Sequence, residues 1–168
     1  VHAADRATPR VFMKPSTNTV CGPGAPVIVG KTSTFVDYEG ELAVIIGKRG
    51  KYIKAAEALD YVGGVTILND ISERRLQIWE RPETRQWDRF FDWLNGKWFD
   101  NSAPMGPCAV PPSDLPSLDS LRLVTRLNGK TMQDASTGQM IFSVPRIIEY
   151  ISHLVTLEPG DVIATGTP

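Results

Sequence analysis

Cysteine and histidine are scarce, with two of each in 168 residues. Two cysteines, Cys21 and Cys108, exclude a disulfide scaffold, and no Cys/His spacing suits structural zinc. Neither cysteine has a histidine or other base close by in sequence, so a thiol nucleophile is not expected. Charge of one sign is missing too. The 18 basic and 19 acidic side chains leave a net charge of −1, and no Lys/Arg cluster interleaves with aromatics to make a nucleic-acid groove. No apolar run approaches the roughly 20 residues of a membrane span. No signal-peptide pattern explains a start at Val1 without Met, and no internal repeat or low-complexity tract occurs. The expectation is a protein of a reducing cytoplasm that binds neither nucleic acid nor membrane. Gly166-Thr167-Pro168 reads as a turn with nothing after it, so both ends are read as cut.

What remains is close to a globular average, 42% hydrophobic and 22% charged. The length fits one domain over 1–168. The 14 glycines and 13 prolines are spread along the chain, which favours many short strands and turns over a helix bundle.

Asp37 to Gly47 is the clearest strand, its second half β-branched and buried on both faces. Cys21 to Pro26 reads as a rigid turn and Val27 to Val29 as a short strand. Lys54 to Leu59 reads as a short helix leading into a buried strand at Val62 to Leu68. Asn69-Asp70 ends that strand, and Ile71 to Trp79 has helical character. Arg81 to Trp98 is aromatic, charged and without a single period, which suits a loop with a short helix, or a lid. Pro104 to Leu118 carries five prolines and reads as irregular. Leu121 to Leu127, Asn128-Gly129 and Lys130 to Gln133 form a hairpin pattern, Asn-Gly being the preferred pair for a type I′ turn. Val144 to Val155 is the strongest helix, with Pro145 in its first turn and an apolar stripe at helical spacing. Glu158 to Asp161 is a turn before a strand at Val162 to Ala164. About six strands and two or three helices, without βαβ alternation, define an α+β fold dominated by mixed or antiparallel sheet.

Glu39 and Glu41 are two apart. In a strand such residues face one side, with Cα atoms about 6.5–7 Å apart, and Asp37 would share that side. Asp70 ends a different buried strand. Three carboxylates without His or Cys make an all-oxygen set suited to Mg²⁺, Mn²⁺ or Ca²⁺. A solvated strand face and a simple Asn-Asp turn are the competing readings. His2 and Asp5 are three apart, and on a helix a carboxylate beside an imidazole orients it as a general base; the residues alone favour a frayed terminus with a solvated histidine. His153 sits near a helix C-terminus, where the dipole favours it structurally. Lys97 is one cation among aromatics. Arg74 and Gln77 would share a helical face with Asp70, or lie on a solvated helix.

Seven pieces in sequence order resemble the fumarylacetoacetate hydrolase family. They are Phe12-Met13-Lys14-Pro15 (F-x-K-P), Asp37-Tyr38-Glu39-Gly40-Glu41-Leu42-Ala43 (D-Y-E-x-E-L-A), Asn69 to Gln77 (N-D-V-S-A-R-D-x-Q), Gly96 to Asp100 (G-K-S-F-D), Pro104 to Pro107 (P-x-G-P), Asn128-Gly129 (V-N-G) and Thr156 to Pro168 (T-L-x-P-G-D-x-I-x-T-G-T-P). The resemblance implies an α+β fold of β-rich mixed sheets in a rolled β-sandwich with a few short helices. It implies Mg²⁺ or Mn²⁺, with Ca²⁺ in their place, on Glu39, Glu41 and Asp70. It implies substrate contacts from Arg74, Gln77, Lys97 and Thr167. His2-Ala3-Ala4-Asp5 resembles the family's H-x-x-E lid pair, with Asp for Glu, in an N-terminal lid segment over 1–11. A homodimer is expected on the same ground.

The expected activity is metal-assisted hydrolysis of a carbon–carbon bond in a 2,4-dioxo, acylpyruvate-like acid, through an enolate. His2, oriented by Asp5, would activate water, and Lys97 and Arg74 would neutralise the growing charge. The same enolate serves a decarboxylase of the oxaloacetate type or an isomerase of a 2-hydroxy-diene dioate. A noncatalytic small-acid binder is a further alternative. A purely structural calcium site has no use for the adjacent Arg74 and Lys97.

Overall fold

The centre of the fold is a seven-residue strand, Gly40–Ile46, whose every side chain but Ile45 is buried. The computed structural model describes residues 7–167. In chain order the elements are α1 (Ser16–Thr19), β1 (Val20–Cys21), β2 (Val36–Asp37), β3 (Gly40–Ile46), β4 (Val62–Asn69), β5 (Ser72–Glu73), α2 (Gln86–Asn95), β6 (Ala103–Val110), β7 (Arg122–Leu127), β8 (Lys130–Ser136), α3 (Val144–Leu154) and β9 (Val162–Ala164). Short 3-10 turns cover Ala55–Tyr61, Pro112–Asp114 and Thr137–Gln139. They divide into two units, one built mainly from Gly40–Ile67 and Pro107–Pro168, the other from Phe12–Glu39 and Leu68–Gly106.

In the first unit the strands run in the order β6, β4, β3, β9. β3 pairs antiparallel with β9, Val44 facing Ile163. Strands flank β3 on both sides, so its β-branched run is buried as a central strand should be. Gly47 lies against Gly63, and a Cβ on Gly47 would sit 2.6 Å from the Gly63 Cα. Helix α3 closes the core over the Ala55–Tyr61 turn, burying Val144, Ile147 and Ile148 with Val44, Ile46 and Ile53. Ser152 Oγ accepts the Ile53 amide at 2.9 Å and Glu149 accepts the Ala55 amide at 3.1 Å, which fixes the contact. Strands β7 and β8 form the expected hairpin, with Asn128 at φ 50° and Gly129 at φ 80°, the two positive-φ positions of a type I′ turn.

In the second unit β2 pairs antiparallel with β5, and β1 runs parallel to the start of β6. Parallel and antiparallel pairings coexist, so the sheets are mixed, and the fold is α+β with few helices. Four expectations fail locally. Asp37 to Gly47 is not one strand: positions 38 and 39 lie between β2 and β3, so Glu39 and Glu41 do not share a strand face. Val27 to Val29 forms no strand. Ile71 to Trp79 is not helical, because its backbone donors go to distant carbonyls: Ile71 to Ser102, Glu73 to Gly96 and Arg74 to Phe35, at 2.8–2.9 Å. Pro104 to Leu118 is not irregular throughout, since Pro104 and Pro107 lie inside β6. Proline is tolerated where a strand owes few ladder donors, and here the partner β1 has only two residues.

Candidate active site

The second unit gathers six charged side chains into one continuous chain of ion pairs. It begins with backbone. Asn69 Oδ1 accepts the Glu39 amide at 2.9 Å, and the Asp70 amide donates to the Glu39 carbonyl at 2.8 Å. These bonds set the two acids side by side, with carboxylate oxygens within 4.8 Å of each other. A buried and a half-buried carboxylate at that spacing repel and need cations.

Lys97 supplies the first. Helix α2 ends at Asn95, and Gly96 follows it closely packed on the Glu73 carbonyl, where a Cβ would collide. Lys97 Nζ then reaches Glu39 Oε2 at 2.5 Å and Asp70 Oδ2 at 2.9 Å, its side chain only 3% exposed. Lys14 Nζ meets the other Asp70 oxygen at 2.7 Å. Arg74 joins the remaining Glu39 oxygen at 2.5 Å and Asp37 Oδ2 at 2.9 Å. The order Lys14, Asp70, Lys97, Glu39, Arg74, Asp37 alternates in sign from end to end, and Glu39 and Asp70 each bridge two cations. Burial pushes the Lys14 ammonium below the ordinary lysine value, partly countered by Asp70. Burial also works against the Arg74 charge, but its bonds to Glu39 and Asp37 outweigh that and raise its pKa.

Charge neutrality inside a buried cluster is a condition of its existence rather than a source of great stability. Exposure grades along the chain: Asp70 is 4% exposed, Glu39 12% and Arg74 30%. The Arg74 end therefore meets solvent, while Lys97 and Asp70 within the chain are dry.

Of the other expected site residues, Glu41 lies in the first unit, buried, where it accepts the Gly166 amide at 2.8 Å. Thr167 is also there. It donates to the Gly40 carbonyl at 3.0 Å and accepts from Gln133 at 2.6 Å, while Gln133 Oε1 accepts the Gly40 amide. Gln77 is exposed and donates to the Trp79 carbonyl at 3.3 Å, apart from the ion chain. His2 and Asp5 lie outside the described residues. Lys14 and Gln133 were not singled out as site residues from the sequence. A lone lysine in an apolar run and a lone glutamine among polar residues carry no local signal, and only the F-x-K-P likeness bears on Lys14. His153 is structural: Nδ1 meets the Glu149 carbonyl at 2.8 Å and the ring packs edge-on against Tyr52.

The donor set for a divalent ion consists of hard carboxylate oxygens in place of thiolates or imidazoles. Each carboxylate has about four lone-pair sites, so Glu39 and Asp70 keep acceptor capacity beyond the cations they bind here. That chemistry fits Mg²⁺ or Mn²⁺.

An α+β fold carrying buried acids, a buried ammonium and a partly exposed guanidinium defines a charged, metal-compatible centre. The family model described as fumarylacetoacetate (FAA) hydrolase C-terminal matches residues 1–168. The chain belongs to that family. A protein of Pyrococcus horikoshii is 46% identical over 160 residues, which is 95% of this chain and 66% of that protein. The human mitochondrial oxaloacetate tautomerase FAHD2A is 41% identical over 95% of this chain and 48% of its own length. The crystal structure of 2-hydroxyhepta-2,4-diene-1,7-dioate isomerase from Mycobacterium marinum superposes with a TM-score of 0.83 at 39% identity, over 96% of this chain and 59% of that one. The chain thus spans about half to two thirds of these relatives. Among the described residues, no helix is long and apolar enough to cross a membrane.

Proposed function

We propose that this protein enolises a 2-oxo acid, interconverting keto and enol forms or shifting a conjugated double bond, with a divalent cation as cofactor. The observation that carries the reading is the Lys97 ammonium, buried and held between Glu39 and Asp70. Keto–enol conversion transfers a proton from C3 to the 2-oxygen, and negative charge builds on that oxygen between loss of the first proton and gain of the second. A fixed ammonium in a dry site stabilises such charge far better than water does. An ammonium has three donors. Two are placed on Glu39 and Asp70, and we assign the third to the substrate oxygen. Arg74, at the exposed end of the ion chain, binds the substrate carboxylate, and its bonds to Asp37 and Glu39 hold the guanidinium plane in place. We assign Mg²⁺ or Mn²⁺ to Glu39 and Asp70. Glu41 is assigned to the same ion on the family resemblance. When bound, the cation supplies Lewis-acid stabilisation of the same developing charge.

Tautomerase and isomerase chemistry is favoured because a proton transfer within the substrate needs no activated water, and two relatives bear names of that type. Carbon–carbon hydrolysis of an acylpyruvate is the second reading, carried by His2 and Asp5 in the sequence. One assay separates the readings. Oxaloacetate and acetylpyruvate are offered with and without Mg²⁺, and enol content, CO₂, pyruvate and acetate are followed. Mg²⁺-dependent keto–enol conversion supports the first reading. Acetate release that falls with His2→Ala establishes the second. CO₂ release alone makes the protein a decarboxylase. Metal binding without turnover on either acid contradicts both readings and makes it a binding protein.

A further inference from the structure

The Phe12-Met13-Lys14-Pro15 motif has no part in the chemistry just described, yet it runs beside Lys97. The Phe12 ring lies under the Lys97 ammonium, 5.4 Å from centroid to Nζ, and is itself braced edge-on by Trp93 at 5.2 Å. The Met13 carbonyl accepts the Trp98 indole N–H at 2.7 Å. Lys14 Nζ donates both to the Lys97 carbonyl at 2.5 Å and to Asp70 Oδ1 at 2.7 Å. Further along, the Pro15 carbonyl accepts the amide and hydroxyl of Thr19, the Asn18 carbonyl accepts the Asn101 amide at 2.9 Å, and Val20 and Cys21 pair with Ala103 and Pro104. The segment from Phe12 to Cys21 is thus tied along its length to the segment from Lys97 to Pro104.

One ammonium therefore grips two things at once, the backbone of Lys97 and the carboxylate that Lys97 itself binds. Lys97 has four rotatable bonds between Cα and Nζ, so fixing its own main chain and its acceptor together removes most of the ways it can miss. Burying a second ammonium beside the first is unfavourable by itself, and Lys14 is correspondingly pushed towards its neutral form by desolvation. A position that served packing alone would be filled more cheaply by Met or Leu.

We propose that Lys14 is a positioning residue for Lys97, and that Phe12 to Lys14 forms a strap whose task is to hold the Lys97 ammonium at the reacting oxygen. The assignment of Lys97 to catalysis rests on the proposed function; the positioning of Lys97 by the strap does not, and the test separates the two. Lys14→Met is made in the purified protein. Lys97 acylation is timed by peptide mass spectrometry against the exposed lysines Lys54 and Lys130 as references, and kcat and KM are measured on oxaloacetate with Mg²⁺. The expected result is Lys97 labelling at least tenfold faster with the references within twofold, kcat lower by at least twentyfold, and KM within threefold. Calorimetric Mn²⁺ affinity should not weaken, because Lys14 acts on Lys97 and carries a charge that opposes the cation. Unchanged Lys97 labelling in the folded variant overturns the proposal, as does a parallel collapse of Mn²⁺ affinity, which would place Lys14 in metal holding instead. If the parent protein is inert on 2-oxo acids, the proposed function has failed and the labelling result alone decides the strap. If Lys14→Met does not fold, Phe12→Leu keeps every ion pair and removes only the ring. Labelling of Lys97 at least threefold faster is then expected, and no change refutes the strap.

Discussion

Replacing Asp70 by Asn removes one charge from the middle of the ion chain and leaves nearly the same shape. Lys14 and Lys97 then face each other across a neutral amide, with Glu39 as the one remaining anion within reach of Lys97. Breaking a buried pair by removing one partner costs about 3–5 kcal/mol. Asp70 is 4% exposed, so solvent screens little of that. At about 2.1 cal/mol/K per residue, an unfolding unit of this size has an entropy near 0.35 kcal/mol/K, and Tm should fall by about 9–14 °C. A second effect follows from ligation. In the parent, Mg²⁺ at a hundredfold excess over its Kd adds about 2.7 kcal/mol, or roughly 8 °C by the same conversion, and Asp70→Asn should lose most of that increment. Differential scanning calorimetry with and without MgCl₂ reads both numbers. A Tm within about 2 °C of the parent, or a full Mg²⁺ increment in the variant, refutes the reasoning. The triple variant Lys14→Met, Asp70→Leu, Lys97→Met provides the control: an apolar replacement of Asp70 and both of its cations should recover much of the lost stability while abolishing turnover.

Other perturbations have distinct signatures. Glu39→Ala is expected to abolish Mn²⁺ binding and turnover together, and retained Mg²⁺-dependent activity contradicts the ligand role. Glu73 is buried and accepts from Ser33, Phe35 and Arg75. Burial alone would raise its pKa, but these bonds outweigh that and set it below its ordinary 4.5. Its stabilisation is therefore complete above about pH 4.5 and is lost as pH falls through the lower folded-state value. Glu73→Gln should flatten the acid side of a urea-midpoint profile, and an unchanged profile contradicts this. Gly47→Ala drives a Cβ onto Gly63 backbone, whereas Gly129→Ala meets open space at φ 80°. The first should cost about 3 kcal/mol and the second about 1 kcal/mol, and denaturant melts showing the reverse order would refute the two steric accounts.

Much of the fold is written in local pattern. The β-branched run of β3, the Asn-Gly turn between β7 and β8 and the Pro-led stripe of α3 all follow from periodicity and turn chemistry, because local propensity and tertiary context agree there. Ile71 to Trp79 shows the opposite case. Its residues permit a helix, but Ser102, Gly96 and Phe35 claim its amides, and no window of sequence contains those partners. β6 was hidden by its prolines, which are harmless beside a two-residue neighbour. In the site, Glu39, Asp70, Arg74 and Lys97 carried signals that motif likeness could collect. The cations that neutralise the acids come from positions 14, 74 and 97, so the alternating chain exists only in the folded protein. Gln77, by contrast, was placed beside Asp70 on the strength of a helix that does not form, and its amide turns to Trp79 instead.

The most direct measurement of the central claim is exchange of the C3 hydrogens of oxaloacetate for solvent deuterium, followed by proton NMR with Mg²⁺, in the parent and in Lys97→Met. The account expects exchange well above the uncatalysed rate in the parent, dependent on the divalent ion and lost at least a hundredfold when the Lys97 ammonium is removed. Exchange at the uncatalysed rate in the parent, or exchange that survives intact in Lys97→Met, contradicts it.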